Sequence, residues 1–167
     1  MRATCAPTTG RVNLPELRVT ASRRSGVGDD RMAIKASTPL VDMAASPTIG
    51  GVSFSLRDAG GEELYGGCLP AEGVVDPTGN GASFKFRDTK GLYPTANGVV
   101  SARIKRIASK GVARLNLKAR GIDFAPFAGV GSIAFSVLVG PDTSAGDRLS
   151  ARGVDCSASV TALRCLN

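Results

Sequence analysis

Apolar residues recur at every second position along much of this chain, and glycine or proline cuts the pattern into short lengths. Leu17, Val19 and Ala21 alternate with Arg18, Thr20 and Ser22. Val52, Phe54 and Leu56 alternate with Ser53, Ser55 and Arg57, and Phe84 and Phe86 with Lys85 and Arg87. Further on, Val100, Ala102 and Ile104 alternate with Ser101, Arg103 and Lys105. Ala113, Leu115, Leu117 and Ala119 alternate with Arg114, Asn116, Lys118 and Arg120. A period of two puts one set of side chains on each face of a strand, so these segments read as half-buried β-strands. The chain's 21 Gly and 9 Pro argue against long helices, because an interior Gly costs a helix about 1 kcal/mol and a Pro about 3 kcal/mol.

The expectation is an all-β fold: a single antiparallel β-sandwich, or flattened barrel, of about ten short strands. Residues 1–11 are small and polar and read as an N-terminal arm, with the β-domain over 12–167. A chain of 167 residues can bury roughly 70% of its unfolded surface, enough for one core. The inward positions nominate Val52, Phe54, Leu56, Phe84, Phe86, Ile104, Leu115, Leu117, Ile133, Phe135 and Val137. The strand over 133–139 carries apolar residues on both faces, which predicts cover on both sides. Residues 38–51, with Pro39, Pro47 and Gly50-Gly51, read as loop, and residues 59–63 (AGGEE) as a hairpin turn. The strands on either side of Ser109-Lys110-Gly111 form the clearest hairpin.

Histidine is absent, which removes a Ser-His-Asp triad, a Cys-His dyad and His-based metal sites. No phosphate-binding glycine motif is present. Glu62, Glu63, Glu72, Asp76 and Asp88 could be paired for glycoside hydrolysis, but they fall in turns and read as solvated carboxylates. Asp29-Asp30, Asp76 with Asn80, and Asp142 with Asp147 could offer oxygen ligands to calcium, yet none follows a defined loop pattern. No catalytic, cofactor-binding or metal-binding residue is assigned, and the chain reads as non-enzymatic with no cofactor.

Four cysteines, Cys5, Cys68, Cys156 and Cys165, lack the spacing of a metal site. Their even number points to disulfides and to an extracellular or cell-surface location. The eight residues between Cys156 and Cys165 suit a closing hairpin, which favours that pair and leaves Cys5 with Cys68. Four cysteines nevertheless allow three pairings. No apolar run is long enough to span a bilayer. The N-terminal MRATCAPTTG has no apolar signal core; either Met1 is not the natural start, or a leader has been removed, or the protein stays inside, and the cysteines favour a trimmed chain.

The net charge of +7 favours anionic partners. It is concentrated between Val99 and Arg120, where Arg103, Lys105, Arg106, Lys110, Arg114, Lys118 and Arg120 occur without an acid. Arg103, Lys105, Arg114, Lys118 and Arg120 share the outward face of the expected hairpin. Such a face contacts a polyanion or another subunit, or else it is a solvated surface that protects a sheet edge from aggregation. No aromatic residues interleave with the cations, as a single-strand nucleic-acid binder would require.

Segments 45–57 (ASPTIGGVSFSLR), 68–71 (CLPA), 84–88 (FKFRD) and 113–124 (ARLNLKARGIDF), in that order, resemble an uncharacterised β-rich domain family of secreted proteins from environmental, deltaproteobacteria-like bacteria. The resemblance runs from about Met32 onward. It implies a secreted β-domain whose closing segment carries two cysteines, where Cys156 and Cys165 stand, and it supplies no catalytic residues. The leading functional expectation is a structural or adhesive domain. As a self-assembling filament or coat subunit, it would dock its N-terminal arm on a neighbour by strand addition. The alternative is a binding module for acidic polymers, polysaccharide or nucleic acid, through the basic hairpin face.

Overall fold

A computed structural model describes residues 12–25 and 29–167. The described residues form twelve strands: β1 (Val12–Asn13), β2 (Glu16–Ser22), β3 (Arg31–Pro39), β4 (Val52–Asp58), β5 (Glu63–Leu69), β6 (Val74–Val75), β7 (Ser83–Arg87), β8 (Val99–Ile107), β9 (Val112–Arg120), β10 (Ser132–Val139), β11 (Asp147–Ala158) and β12 (Ala162–Leu166). They join edge to edge in the order β5-β4-β10-β11-β12-β2-β3-β9-β8-β7-β6, antiparallel throughout. The exception is β1, which lies parallel to β11. The sheet folds back on itself into a flattened, nearly closed barrel, the fold class expected from the alternation.

The fold-over happens in β11, whose first part pairs with β10 while Cys156, Ser157 and Ala158 pair with β12. Opposite Ile133 and Phe135 the register shifts, so that β11 spends three steps, Ala151 to Val154, where β10 spends two. Gly153 absorbs the extra residue at φ +61°, a left-handed conformation that costs a side-chain-bearing residue and bends the strand. At the open seam between β5 and β6, the turn over Pro94–Ala96 closes on β5. The Tyr65 hydroxyl donates to the Asn97 carbonyl at 2.5 Å, and the Asn97 amide donates to the Gly66 carbonyl at 2.7 Å. A Cβ on Gly67 would lie 3.0 Å from the Ala96 carbonyl, so glycine there is what lets the turn approach. Burial pushes the Tyr65 phenol well above its ordinary pKa and keeps it a neutral donor.

All eleven core positions expected from the sequence are buried between the two halves of the sheet. The segment 38–51 is less loop-like than expected. β3 continues to Pro39, and a single 3-10 turn, Leu40–Met43, buries Met43 completely. The outward side of β10 is covered only at Leu138, 2% exposed, where Gly146 of the 140–147 loop packs over its side chain. Ala134 and Ser136 are half-buried. Cys156 and Cys165 stand directly opposite each other on β11 and β12 and form a disulfide. Cys68 is not a free thiol, while Cys5 and the arm expected at 1–11 lie outside the described residues.

Arg106 belongs to the basic cluster in sequence but not in space. It shares the inward parity of Ala102 and Ile104, at the end of β8. Its guanidinium donates to the carbonyls of Met43, Gly81 and Ala45 at 3.2, 3.1 and 2.7 Å, and lies 4.9 Å from the centre of the Phe84 ring. Partial burial lowers its pKa, against the opposing pull of Asp147 and Asp76. The Ala45 N–H in turn donates to Asp147 at 2.6 Å, so one side chain ties β8 through a loop peptide to β11.

Phe135 has no exposed surface, and Phe135→Ala should lower unfolding free energy by about 3–5 kcal/mol in denaturant titrations. The double replacement Cys156→Ser, Cys165→Ser should cost about 2–3 kcal/mol, the loop-closure value for so short a loop, with no change in the far-ultraviolet circular dichroism spectrum.

Candidate functional site

The half of the barrel built from β2, β3, β9, β8 and β7 turns one face to solvent. The side chains on it are set by the ladder. Arg18 stands opposite Lys35, Arg31 opposite Arg120, Lys105 opposite Arg114, and Lys85 opposite Arg103. Lys118 and Arg87 flank Ser101 on the same face. All ten of these cations are exposed. The one acid at an outward position of these five strands is Glu16, at the start of β2. Among the described residues the only ion pair joins Arg148 to Asp142, away from this face.

The five residues expected to share an outward face, Arg103, Lys105, Arg114, Lys118 and Arg120, therefore do share it. In the alternative of a solvated face, these charges do not guard an exposed edge. β9 lies between β3 and β8, and β8 between β9 and β7, so neither is an edge strand. Like charges directly opposite one another in mid-sheet cost stability, a few tenths to about 1 kcal/mol per pair, without protecting any unpaired backbone.

Sequence reasoning missed Arg18, Arg31, Lys35, Lys85 and Arg87. Their outward parity was legible within each strand. What places them beside the hairpin is the pairing of β3 with β9, residues distant in the chain. Together these strands form a trough of about 1070 Å³. Thr20, Ala33, Ser101 and Asn116 line it together with Arg31 and Lys35 from β3, Lys118 and Arg120 from β9, and Lys85, Arg87 and Arg103 from β7 and β8. Phe86 reaches it only from the core side, being 3% exposed, so no aromatic ring is presented for stacking.

Three of the carboxylates considered for catalysis or calcium hold loops. Asp76 accepts from the N–H groups of Thr78, Gly79 and Gly81. Asp147 accepts from Ala45, and Asp142 pairs with Arg148. The described residues contain no cluster of three or more metal-ligating side chains. Asp88 is not the solvated turn residue that the sequence suggested, for it is buried and accepts from the N–H groups of Leu92 and Tyr93 at 2.8 and 2.9 Å. Burial raises its pKa, but those bonds together with the N–H groups of Gly91 and Lys90 outweigh it and hold the carboxyl below its ordinary value. This pins the 88–98 loop at one end of the trough.

Compared with known protein families, curated proteins and solved structures, the chain matches none.

Because the folded pKa of Asp88 lies below the unfolded value of about 3.9, its contribution to stability is complete above that pH and is lost as pH falls through the folded pKa. Asp88→Asn should accordingly be less stable than the parent at pH 6, with the gap closing as pH is lowered toward 2. Melting curves across that range read the difference.

Proposed function

We propose that this protein is a non-catalytic, extracellular binding module for an acidic polysaccharide, held along the basic trough of β2, β3, β9, β8 and β7. The observation that carries the reading is the four cation pairs facing each other in mid-sheet, with Glu16 at the start of β2 the one acid on their face. A polyanion laid on such a face relieves the repulsion and releases its own counterions, so binding and fold stability gain together. Among the cations, Thr20, Ser101 and Asn116 offer hydroxyl and amide groups that suit sugar hydroxyls. The lack of exposed aromatic rings favours a saccharide over single-stranded nucleic acid, which is gripped by base stacking. The extracellular location rests on the Cys156–Cys165 disulfide, since such bonds persist in oxidising compartments.

Self-assembly into a coat or filament, the other reading of the sequence, would have to join this face to a different, acidic surface of the next subunit, since a two-fold dimer would set cation against cation here.

Heparin should bind at low salt. A polymer that meets six or more of these cations should lose about a thousandfold or more in affinity between about 50 and 200 mM salt. The triple variant Arg103→Ser, Lys118→Ser, Arg120→Ser should bind much more weakly and melt no lower than the parent. Absence of heparin binding by the parent at low salt would overturn the reading. Equal or tighter binding of single-stranded DNA of matched charge would move it from polysaccharide to nucleic acid.

A further inference from the structure

On the basic face the cations crowd around one position, with Lys35, Arg103 and Lys118 lining the trough and Arg114 just outside it. Asn116, in the middle of β9, has Lys35 directly opposite on β3 and Arg103 directly opposite on β8. Along its own strand its next outward neighbours are Arg114 and Lys118. Four cations thus surround one neutral amide on four sides, at Cβ separations of about 5 Å across the strands and about 7 Å along the strand. Arginine and lysine side chains are long enough to reach over the central residue from those distances; Arg103, whose Nε donates to the Ser83 hydroxyl on β7 at 3.3 Å, would turn to it when an anion binds. Asn116 is half-buried and its side chain has no hydrogen-bond partner among the described residues, which leaves two N–H donors and one acceptor free at the centre of the ring.

We infer that Asn116 marks a discrete subsite for one tetrahedral oxyanion ester, and hence that the polymer held in the trough is a sulfated polysaccharide. The inference rests on the polyanion reading of the face and adds to it a position and a chemistry. A carboxylate offers two oxygens in one plane and is satisfied by a single guanidinium fork. Donors arriving from four directions with an amide beneath them match a group that presents three oxygens around a threefold axis, as a sulfate ester does. The neutral centre is part of the device. A fifth cation at 116 would crowd the four already there, and an acid would neutralise them from within and leave no place for a ligand anion.

The test is Asn116→Asp, nearly the same shape with the charge reversed. It should weaken binding of a heparin hexasaccharide by at least about tenfold, the equivalent of one well-placed ionic contact. The same change should raise the melting midpoint by about 2–4 °C, because the new carboxylate lies among four cations; a variant that failed to fold could not do that. Asn116→Ser, which keeps the neutral centre, should bind more nearly like the parent. In the parent, a polyuronate hexasaccharide carrying carboxylates alone should bind at least about tenfold more weakly than heparin, and inorganic sulfate should shift the Asn116 side-chain amide resonances. Should Asn116→Asp bind heparin as the parent does, while the Arg103, Lys118, Arg120 triple variant loses binding, the subsite is wrong and the basic face stands. If polyuronate and heparin bind equally, the assignment to sulfate falls. If the parent binds no polyanion at low salt, the face and its subsite fall together.

Discussion

The pairing of β3 with β9 is the constraint on which the rest of this structure depends. It runs in unbroken register from Arg31 opposite Arg120 to Pro39 opposite Val112 and joins segments far apart in the chain, at a loop-closure cost that grows only slowly with length. On its inner side it sets Met32 against Ala119, Ile34 against Leu117 and Ala36 against Leu115, all buried. On its outer side it sets Arg31 against Arg120 and brings Lys35 beside Asn116. Core and basic face are the two sides of one ladder. A slip of one residue would exchange them, driving arginines into the core, so the burial of the inner side fixes where every cation of the outer side must stand.

That arrangement is tolerable because of the distances involved. Opposed side chains start about 5 Å apart at Cβ, but their charged ends can splay into water, and at physiological ionic strength the screening length is about 8 Å. Cations directly opposite on neighbouring strands still feel each other, while charges two or more strands apart are largely screened. The repulsion is thus local and modest beside the burial of Phe54, Phe124, Phe127 and Phe135, each of which is worth several times one charge pair.

Much of the fold was legible in local pattern. Period-two alternation gave the strands and their inward residues, and the β8–β9 hairpin could be read almost residue by residue, because a short turn leaves few registers open. The face was legible only in part. Arg103, Lys105, Arg114, Lys118 and Arg120 lie on the two strands of one hairpin, and parity within it puts them together. Arg18, Arg31, Lys35, Lys85 and Arg87 have the same parity on other strands, but parity within a strand says nothing about which strands become neighbours. The order β2-β3-β9-β8-β7 is decided by how the whole sheet closes, including the bend at Gly153 in β11. Asp88 escaped for a related reason. Its burial depends on four backbone N–H groups of its own loop converging on it, which composition cannot show.

Arg106 supplies the contrast that gives the unpaired face its meaning. It sits in the same run of basic residues, one position from Lys105, yet it points inward. There a desolvated guanidinium would be costly without partners, and it has three carbonyls and an aromatic ring. Asp76, Asp88 and Asp147 likewise have their oxygens taken up by backbone N–H groups. Where burial or loop geometry demands a partner for a charge, this chain provides one. On the outer face nothing demands it, since water solvates each cation singly, but water does not remove the repulsion between cations fixed opposite one another. Fourteen acidic residues are available in the sequence, and Glu16 alone stands on this face. The charge left uncompensated there is therefore a property of the surface as a whole.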